Sequence, residues 1–276
     1  MYPIKRIFKV LANFPITISL RNALGIRPKY YKEPSLNCSV SDLFFWRSDK
    51  TWQTRFELLN LPSVLYPKEN IQDNISLIFY DQQGRELHQQ NFTIPPFQKR
   101  TIQVDDIIGN KAGYGTMACF HEPLGFNLIQ PQTCIVERGF VAYRRVTDDS
   151  PLWSYIHGSA YILAKSPDQD KVQSTRRNLR ENNFYRPQLS LSDCDRFDLI
   201  YINPNDSDLE IKVRALDQNS KVIREESEVL HPRGVKIFSM NNSDRAIFLV
   251  ENEGRAYMWR PFILKYYKTH FDILHG

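Results

Sequence analysis

Arg260 to Gly276 reads RPFILKYYKTHFDILHG, and Arg138 to Gly158 reads RGFVAYRRVTDDSPLWSYIHG. Each runs Arg, a backbone-special residue, Phe, a strand-like segment, an aromatic and a closing His-Gly. Matching Arg138 with Arg260, Phe140 with Phe262, Trp153 with Phe271, His157 with His275 and Gly158 with Gly276 needs one gap of four residues. A second match runs without a gap, at a constant offset of 136, over Ile75 to Gln103. It places Ile75 on Ile211, Leu77 on Val213, Asp81 on Asp217, Arg85 on Lys221, Ile94 on Leu230, Pro96 on Pro232 and Arg100 on Lys236. Arg55-Phe56-Glu57-Leu58 likewise echoes Arg196-Phe197-Asp198-Leu199. A unit recurring over roughly 90 to 120 residues is a whole domain rather than a solenoid repeat of ~20 to 50.

Between these matches the chain reads as short apolar segments separated by turn residues, the pattern of an all-β protein. The predicted strands are Val40 to Trp46, Arg55 to Leu61, Ile75 to Tyr80, Glu86 to Ile94, Thr101 to Val104, Tyr114 to His121 and Cys134 to Arg144. After a charged stretch they resume at Phe197 to Ile202, Leu209 to Leu216, Lys221 to Val229, Val235 to Ser239, Ala246 to Glu251 and Ala256 to Tyr267. DQQG at Asp81 to Gly84 has the composition of a tight turn. About seven strands per copy is the immunoglobulin-like number. The expected fold is therefore all-β: two tandem immunoglobulin-like antiparallel β-sandwiches from an internal duplication, with a short N-terminal helical segment. The expected boundaries are a basic amphipathic segment at 1–36, a first sandwich at 37–162, a polar linker at 163–187 and a second sandwich at 188–276.

The phrase Tyr201-Ile-Asn-Pro-Asn-Asp-Ser-Asp-Leu-Glu-Ile, then Asp217 in a turn, then Leu230-His-Pro-Arg-Gly before another strand, resembles the small β-sandwich family of sensory rhodopsin transducers. The resemblance implies a soluble, non-enzymatic binding protein.

Composition narrows the function classes. The chain has 276 residues, 42% of them apolar and 13% aromatic, enough for one large core or two modest ones. No run reaches the ~18 to 20 apolar residues of a membrane-spanning helix. The net charge of +5 is concentrated at one end: Lys5, Arg6, Lys9, Arg21, Arg27, Lys29 and Lys32 face only Glu33 within the first 36 residues. The remaining chain is close to neutral, which argues against a nucleic-acid partner. Ile4, Ile7, Phe8 and Leu11 form the apolar side of a short helix whose other side carries Lys5, Arg6 and Lys9. That helix either docks on the body or touches an anionic membrane surface, and the expected location is cytoplasmic, with a membrane-peripheral variant. No secretory signal is present, so Asn74-Ile-Ser and Asn91-Phe-Thr read as chance glycosylation triplets. Cys38, Cys119, Cys134 and Cys194 are scattered, which predicts reduced thiols, with a Cys119–Cys134 disulfide as the alternative.

One constellation carries chemistry. On a strand alternate residues share a face, so Cys134, Val136, Arg138, Phe140 and Ala142 line up, as do Ala256, Met258, Arg260, Phe262 and Leu264. Each stripe is apolar except for its central arginine, a costly placement unless the charge is paired. Gly139 and Pro261 follow the arginines and suit a bulge that re-aims them. The arginine then meets either a carboxylate of its own copy or an external anion. With His157, His275, Trp153 and Phe271 close by in sequence, Arg138 and Arg260 are the candidate ligand contacts for an anionic or carbohydrate ligand, since rings stack on sugar faces while charged donors orient them. A protein partner is the other candidate. No phosphate loop, HExxH, nucleophile elbow or metal-ligand spacing occurs, so no cofactor or metal is expected. The leading reading is a non-catalytic binding or scaffold protein. An enzyme acting on sugars or nucleotide sugars, with His157 or His275 as acid or base, and a peripheral membrane adaptor are the alternatives.

Overall fold

Asp81 and Asp217 close turns of the same design. In a computed structural model that describes residues 17, 20, 38–109, 113–121, 139–148, 152–166, 169–242, 246–257 and 259–276, Asp81 Oδ1 accepts from the backbone N–H groups of Gln83 and Arg85, both at 2.9 Å. Asp217 Oδ1 accepts from Asn219 at 2.8 Å and Lys221 at 2.9 Å. A carboxylate that gathers local donors in this way makes an Asx-type turn. The last turn position has positive φ in both, Gly84 at 77° and Ser220 at 62°. Only Gly84 needs to be glycine for space, because a Cβ there would stand 1.9 Å from the carbonyl oxygen of Pro232.

Asn60 and Asn203 act alike one level up. The Asn60 amide donates to the carbonyls of Ile71 and Ile94, both at 2.9 Å, and the Asn203 amide donates to those of Ser207 and Leu230, at 2.9 and 2.8 Å. Each is fully buried and pins a hairpin to the strand before it. Buried amides are retained only when satisfied in this way.

The strands so organised are β1 (Ser39–Ser48), β2 (Trp52–Leu59), β3 (Asp73–Asp81), β4 (Glu86–Ile94), β5 (Lys99–Gln103), β6 (Gly113–His121), β7 (Phe140–Arg145), β8 (Ser154–Ile156) and β9 (Ser159–Ser166). They continue as β10 (Gln169–Ser174), β11 (Asn183–Tyr185), β12 (Arg196–Ile202), β13 (Leu209–Leu216), β14 (Val222–Leu230), β15 (Val235–Asn241), β16 (Leu249–Gly254), β17 (Phe262–Tyr266) and β18 (Phe271–His275). Two five-residue helices, α1 (Leu61–Leu65) and α2 (Val104–Ile108), interrupt them. The first sheet has six strands in the order β10-β9-β1-β6-β3-β4, the second runs β5-β2-β7-β8, the third β11-β16-β13-β14 and the fourth β15-β12-β17-β18. Among the described residues every strand pairing is antiparallel.

The all-β content agrees with the expectation, but the architecture corrects it. Four small sheets are arranged as a four-bladed β-propeller, not as two tandem immunoglobulin-like sandwiches produced by an internal repeat. The fourth sheet shows why two separate sandwiches fail. Phe197, Leu199, Tyr201, Phe238 and Ile263 on one of its faces join a core with the third sheet. On the other face Ile200, Ile202, Phe262, Leu264, Tyr266 and Phe271 join the core of the first half. A sandwich sheet keeps one face for solvent; this one is dry on both. Nor are the matched segments equal in the fold, since one lies in a sheet of six strands and the other in a sheet of four.

Ring contacts and one buried ion pair fasten the halves. Trp52 meets Phe271 edge to face at 4.7 Å and Tyr266 at 6.1 Å. Asp198, fully buried, accepts a 2.5 Å hydrogen bond from the Tyr266 hydroxyl and lies 3.7 Å from the Arg47 guanidinium. The expected polar linker at 163–187 supplies strands instead: the end of β9, then β10 and β11. β10 is an edge strand of the first sheet.

Met1–Tyr31 groups as a unit apart from Lys32–Gly276. Lys5, Arg6 and Lys9, with the amphipathic helix expected around them, lie outside the described residues; farther along the segment Thr17 and Leu20 are helical. Among the described residues no helix is long and apolar enough to cross a membrane.

Candidate functional site

Along β2, Thr54, Phe56 and Leu58 point into the core, so Gln53, Arg55 and Glu57 fall on the outer face. The register sets Gln53 opposite Arg144, Arg55 opposite Ala142 and Glu57 opposite Phe140 on β7. Ala142 in turn faces Tyr155 on β8. The second sheet therefore presents one polar and aromatic surface, with Trp153 and His157 flanking Tyr155.

Its centre is Trp153. The guanidinium carbon of Arg55 lies 4.3 Å from the Trp153 ring centroid and that of Arg144 lies 4.9 Å away. Two such contacts on an indole are each worth about 0.5–1 kcal/mol at an exposed site. Arg55 also pairs with Glu57 at 3.0 Å and donates to the Tyr155 hydroxyl, which donates onward to Glu57 at 2.9 Å. Arg144 has a different partner: it donates from Nε to the neutral side-chain oxygen of Gln53 at 3.1 Å. Tyr155 is 44% exposed, so the surface is open to solvent. It combines hydrogen-bonding side chains with ring edges and faces, and Arg144 adds a positive charge that Gln53 does not neutralise.

The matched histidines meet at the border of this surface. His157 packs on Phe140 with ring centroids 4.5 Å apart, and His275 packs on Phe262 at 4.9 Å. The His275 ring also hydrogen-bonds the backbone of His157. Burial, then the Arg260 charge, holds His275 below the ordinary histidine value. Arg260 itself is exposed and donates from Nε to the backbone oxygen of Gly276 at 2.8 Å, where the Tyr185 hydroxyl also donates, at 2.7 Å.

The structure thus brings together His157, His275 and Arg260, and places Trp153 on the adjoining face. Arg138 lies outside the described residues, as do Cys134 and the disulfide expected for it. Phe271 is not on the surface: it is 7% exposed and packs on Trp52 in the core. The stripe expected from Ala256 to Leu264 also divides, because β17 begins only at Phe262. Pro261 has no N–H to offer a ladder, so Arg260 precedes the strand and turns outward, away from any buried carboxylate. Sequence reading passed over Gln53, Arg55, Glu57 and Arg144 as functional residues. The signal available was the alternation Gln53, Arg55, Glu57 on one face of a strand whose other face is apolar.

A second polar group is internal. His121 Nδ1 lies 2.7 Å from Asp73 Oδ2, and Cys119 Sγ lies 3.9 Å from His121 Nε2, all three side chains being buried. It ties β3 to β6 rather than opening onto a surface. Among the described residues no three His, Cys, Asp or Glu side chains are placed to share a metal ion.

No family model matches the chain, and no curated protein matches it significantly. Solved structures that match include a β-glucuronidase from glycoside hydrolase family 2, at 10% identity over 90% of this chain and 25% of that one, with a TM-score of 0.19. A calcium-binding mutant of Bacteroides uniformis β-glucuronidase 2 matches at 8% identity over 85% of this chain and 25% of that one, with a TM-score of 0.20. A glycosyl hydrolase family 2 member from Bacteroides cellulosilyticus matches at 8% identity over 89% and 29%, with a TM-score of 0.17. The chain spans about a quarter of the length of these proteins. At such TM-scores the likeness carries no argument about the site or its chemistry.

Proposed function

We propose that this chain is a non-catalytic binding protein whose ligand face is the outer surface of the second sheet, and that the ligand is an anionic carbohydrate. The observation that carries the reading is the open surface around Trp153, where two guanidinium groups lie within 5 Å of one indole and the neighbouring Tyr155 is exposed. Rings of this kind accept the apolar face of a sugar, while Glu57 and Gln53 suit its hydroxyls. Arg144, whose partner is a neutral amide, and Arg260, whose partner is a backbone oxygen, supply donors for a carboxylate or sulfate.

Among the described residues the sheet face around Trp153 and Tyr155 is open to solvent, which favours binding over catalysis on sugars. The test is a panel of acidic and neutral oligosaccharides titrated into the wild type and into Trp153→Ala and Arg144→Ala variants. Acidic glycans should bind, and each variant should weaken binding by about tenfold or more while keeping its far-ultraviolet circular dichroism. Absence of binding across the panel, or wild-type binding by both folded variants, overturns the proposal.

A further inference from the structure

Phe97 holds an aromatic ring in solvent on a strained backbone. It is 57% exposed at a φ of 59°, a conformation that bulky residues rarely adopt. The matched turn of the second half repeats this backbone with a different side chain, Arg233 at 64°. The N–H groups of Gln98 and Gly234 close the two turns on the carbonyls of Pro95 and His231. Those of Asn60 and Asn203 donate to the carbonyls of Gln98 and Gly234, both at 2.9 Å. Arg233 then reaches back to the Val172 carbonyl at 2.9 Å, whereas Phe97 stands out in water.

A segment without a counterpart flanks Phe97. Residues 61–72 lie between Asn60 and β3, where 204–208 suffice between Asn203 and β13. The extra length carries α1, whose Pro62 and Ser63 are buried while Val64 and Leu65 are 47% and 55% exposed. Ser63 ties the helix to the turn: its N–H donates to Asn60 Oδ1 at 3.0 Å and its hydroxyl accepts from the Phe97 N–H at 2.7 Å. Leu59, also exposed, lies opposite Lys99 in the β2–β5 register. The result is a group of exposed apolar side chains on a fixed backbone, and strain fixed in this way concentrates where proteins make contacts.

Its surroundings are basic. Lys68, Lys99 and Arg100 are exposed, and Glu69 is the one carboxylate within 59–69 and 95–100. Among the described residues none of these three cations pairs with a carboxylate; Arg100 lies 4.3 Å from the Phe92 ring centroid instead. Basic rims oppose a second copy docked on the same patch. Single apolar side chains on a turn and a one-turn helix, ringed by cations, match the chemistry of an anionic lipid surface.

We propose that this corner docks on an anionic bilayer. Phe97, Leu65 and Val64 enter the headgroup layer, and Lys68, Lys99 and Arg100 stay at phosphate level with their stems along the apolar group. The test is co-sedimentation of the full chain with phosphatidylcholine vesicles, with and without about 30% phosphatidylserine. Pelleting is expected with the anionic vesicles and should weaken as salt is raised. Phe97→Gly separates docking from folding, because glycine accepts the positive φ: the melting temperature should hold or rise. Its vesicle affinity should fall about 3- to 10-fold with the loss of the inserting ring. Lys99→Gln should lower affinity about fivefold at low salt. Failure to pellet, equal pelleting with neutral vesicles, or wild-type affinity in both folded variants overturns the proposal. A dimer in sedimentation velocity that Phe97→Gly disperses also overturns it, by assigning the patch to a second copy.

Discussion

Replacing Phe271 by alanine removes the ring that joins the fourth sheet to the core of the first half. Phe271 is 7% exposed, belongs to the same apolar cluster as Trp52 and Phe56, and meets Trp52 edge to face at 4.7 Å. Truncating a buried phenylalanine costs about 3–5 kcal/mol, counting both lost transfer free energy and the cavity left behind. Of this the oriented ring pair contributes about 0.5–1.5 kcal/mol. For a body of this size the loss corresponds to a fall in melting temperature of roughly 6–20 °C. Urea unfolding should be followed by far-ultraviolet circular dichroism and by tryptophan fluorescence, because Trp52 and Trp259 report from the two different apolar clusters. The fourth sheet contributes to both clusters, so the two signals should remain coincident and move together to lower urea. A loss below about 1 kcal/mol, or a split in which only one signal moves, would refute the shared core.

Other consequences follow from single contacts. Gly84→Ala should destabilise by more than about 2 kcal/mol, since its Cβ would collide with the Pro232 carbonyl, whereas Ser220→Gly at the equivalent turn should stabilise by about 0.5–1 kcal/mol; thermal denaturation compares the two. Tyr266→Phe should cost about 1.5–3 kcal/mol in chemical denaturation, because buried Asp198 loses its 2.5 Å donor. His275 is disfavoured as a cation in the folded state, so its contribution to stability is complete above about pH 6.5 and is lost as pH falls through the lowered folded value. Arg260→Met should raise the His275 value toward the ordinary one in an NMR titration, and an unchanged or lower value contradicts the charge's part in it.

Local structure was legible where one short stretch decides it. Glu86 to Ile94 and Leu209 to Leu216 read as strands with the bounds that form, and DQQG makes the predicted turn. His157 stacks on Phe140 and His275 on Phe262, contacts that matching these positions did not announce, because only the strand register brings each pair together. The arrangement of sheets was not legible from repeated segments alone. Yet Phe197 to Ile202, apolar at nearly every position, carried the mark of a strand buried on both faces. Arg260 was misplaced because the stripe was extended back through Pro261, which ends the ladder. Arg55 and Arg144 were missed for a different reason: 89 residues separate them, and only the β2–β7 register brings both over Trp153.

The tryptophan indole resonances test the proposed ligand face most directly. Trp46, Trp52 and Trp259 are 2%, 2% and 5% exposed, whereas Trp153 stands on the outer surface beside two arginines. Titration with an acidic oligosaccharide should shift the Trp153 indole N–H and the Arg144 Nε–H along one saturating curve, leaving the other three indoles in place. Saturating shifts confined to Trp46, Trp52 or Trp259, or no shift at Trp153 up to millimolar ligand, would contradict the account.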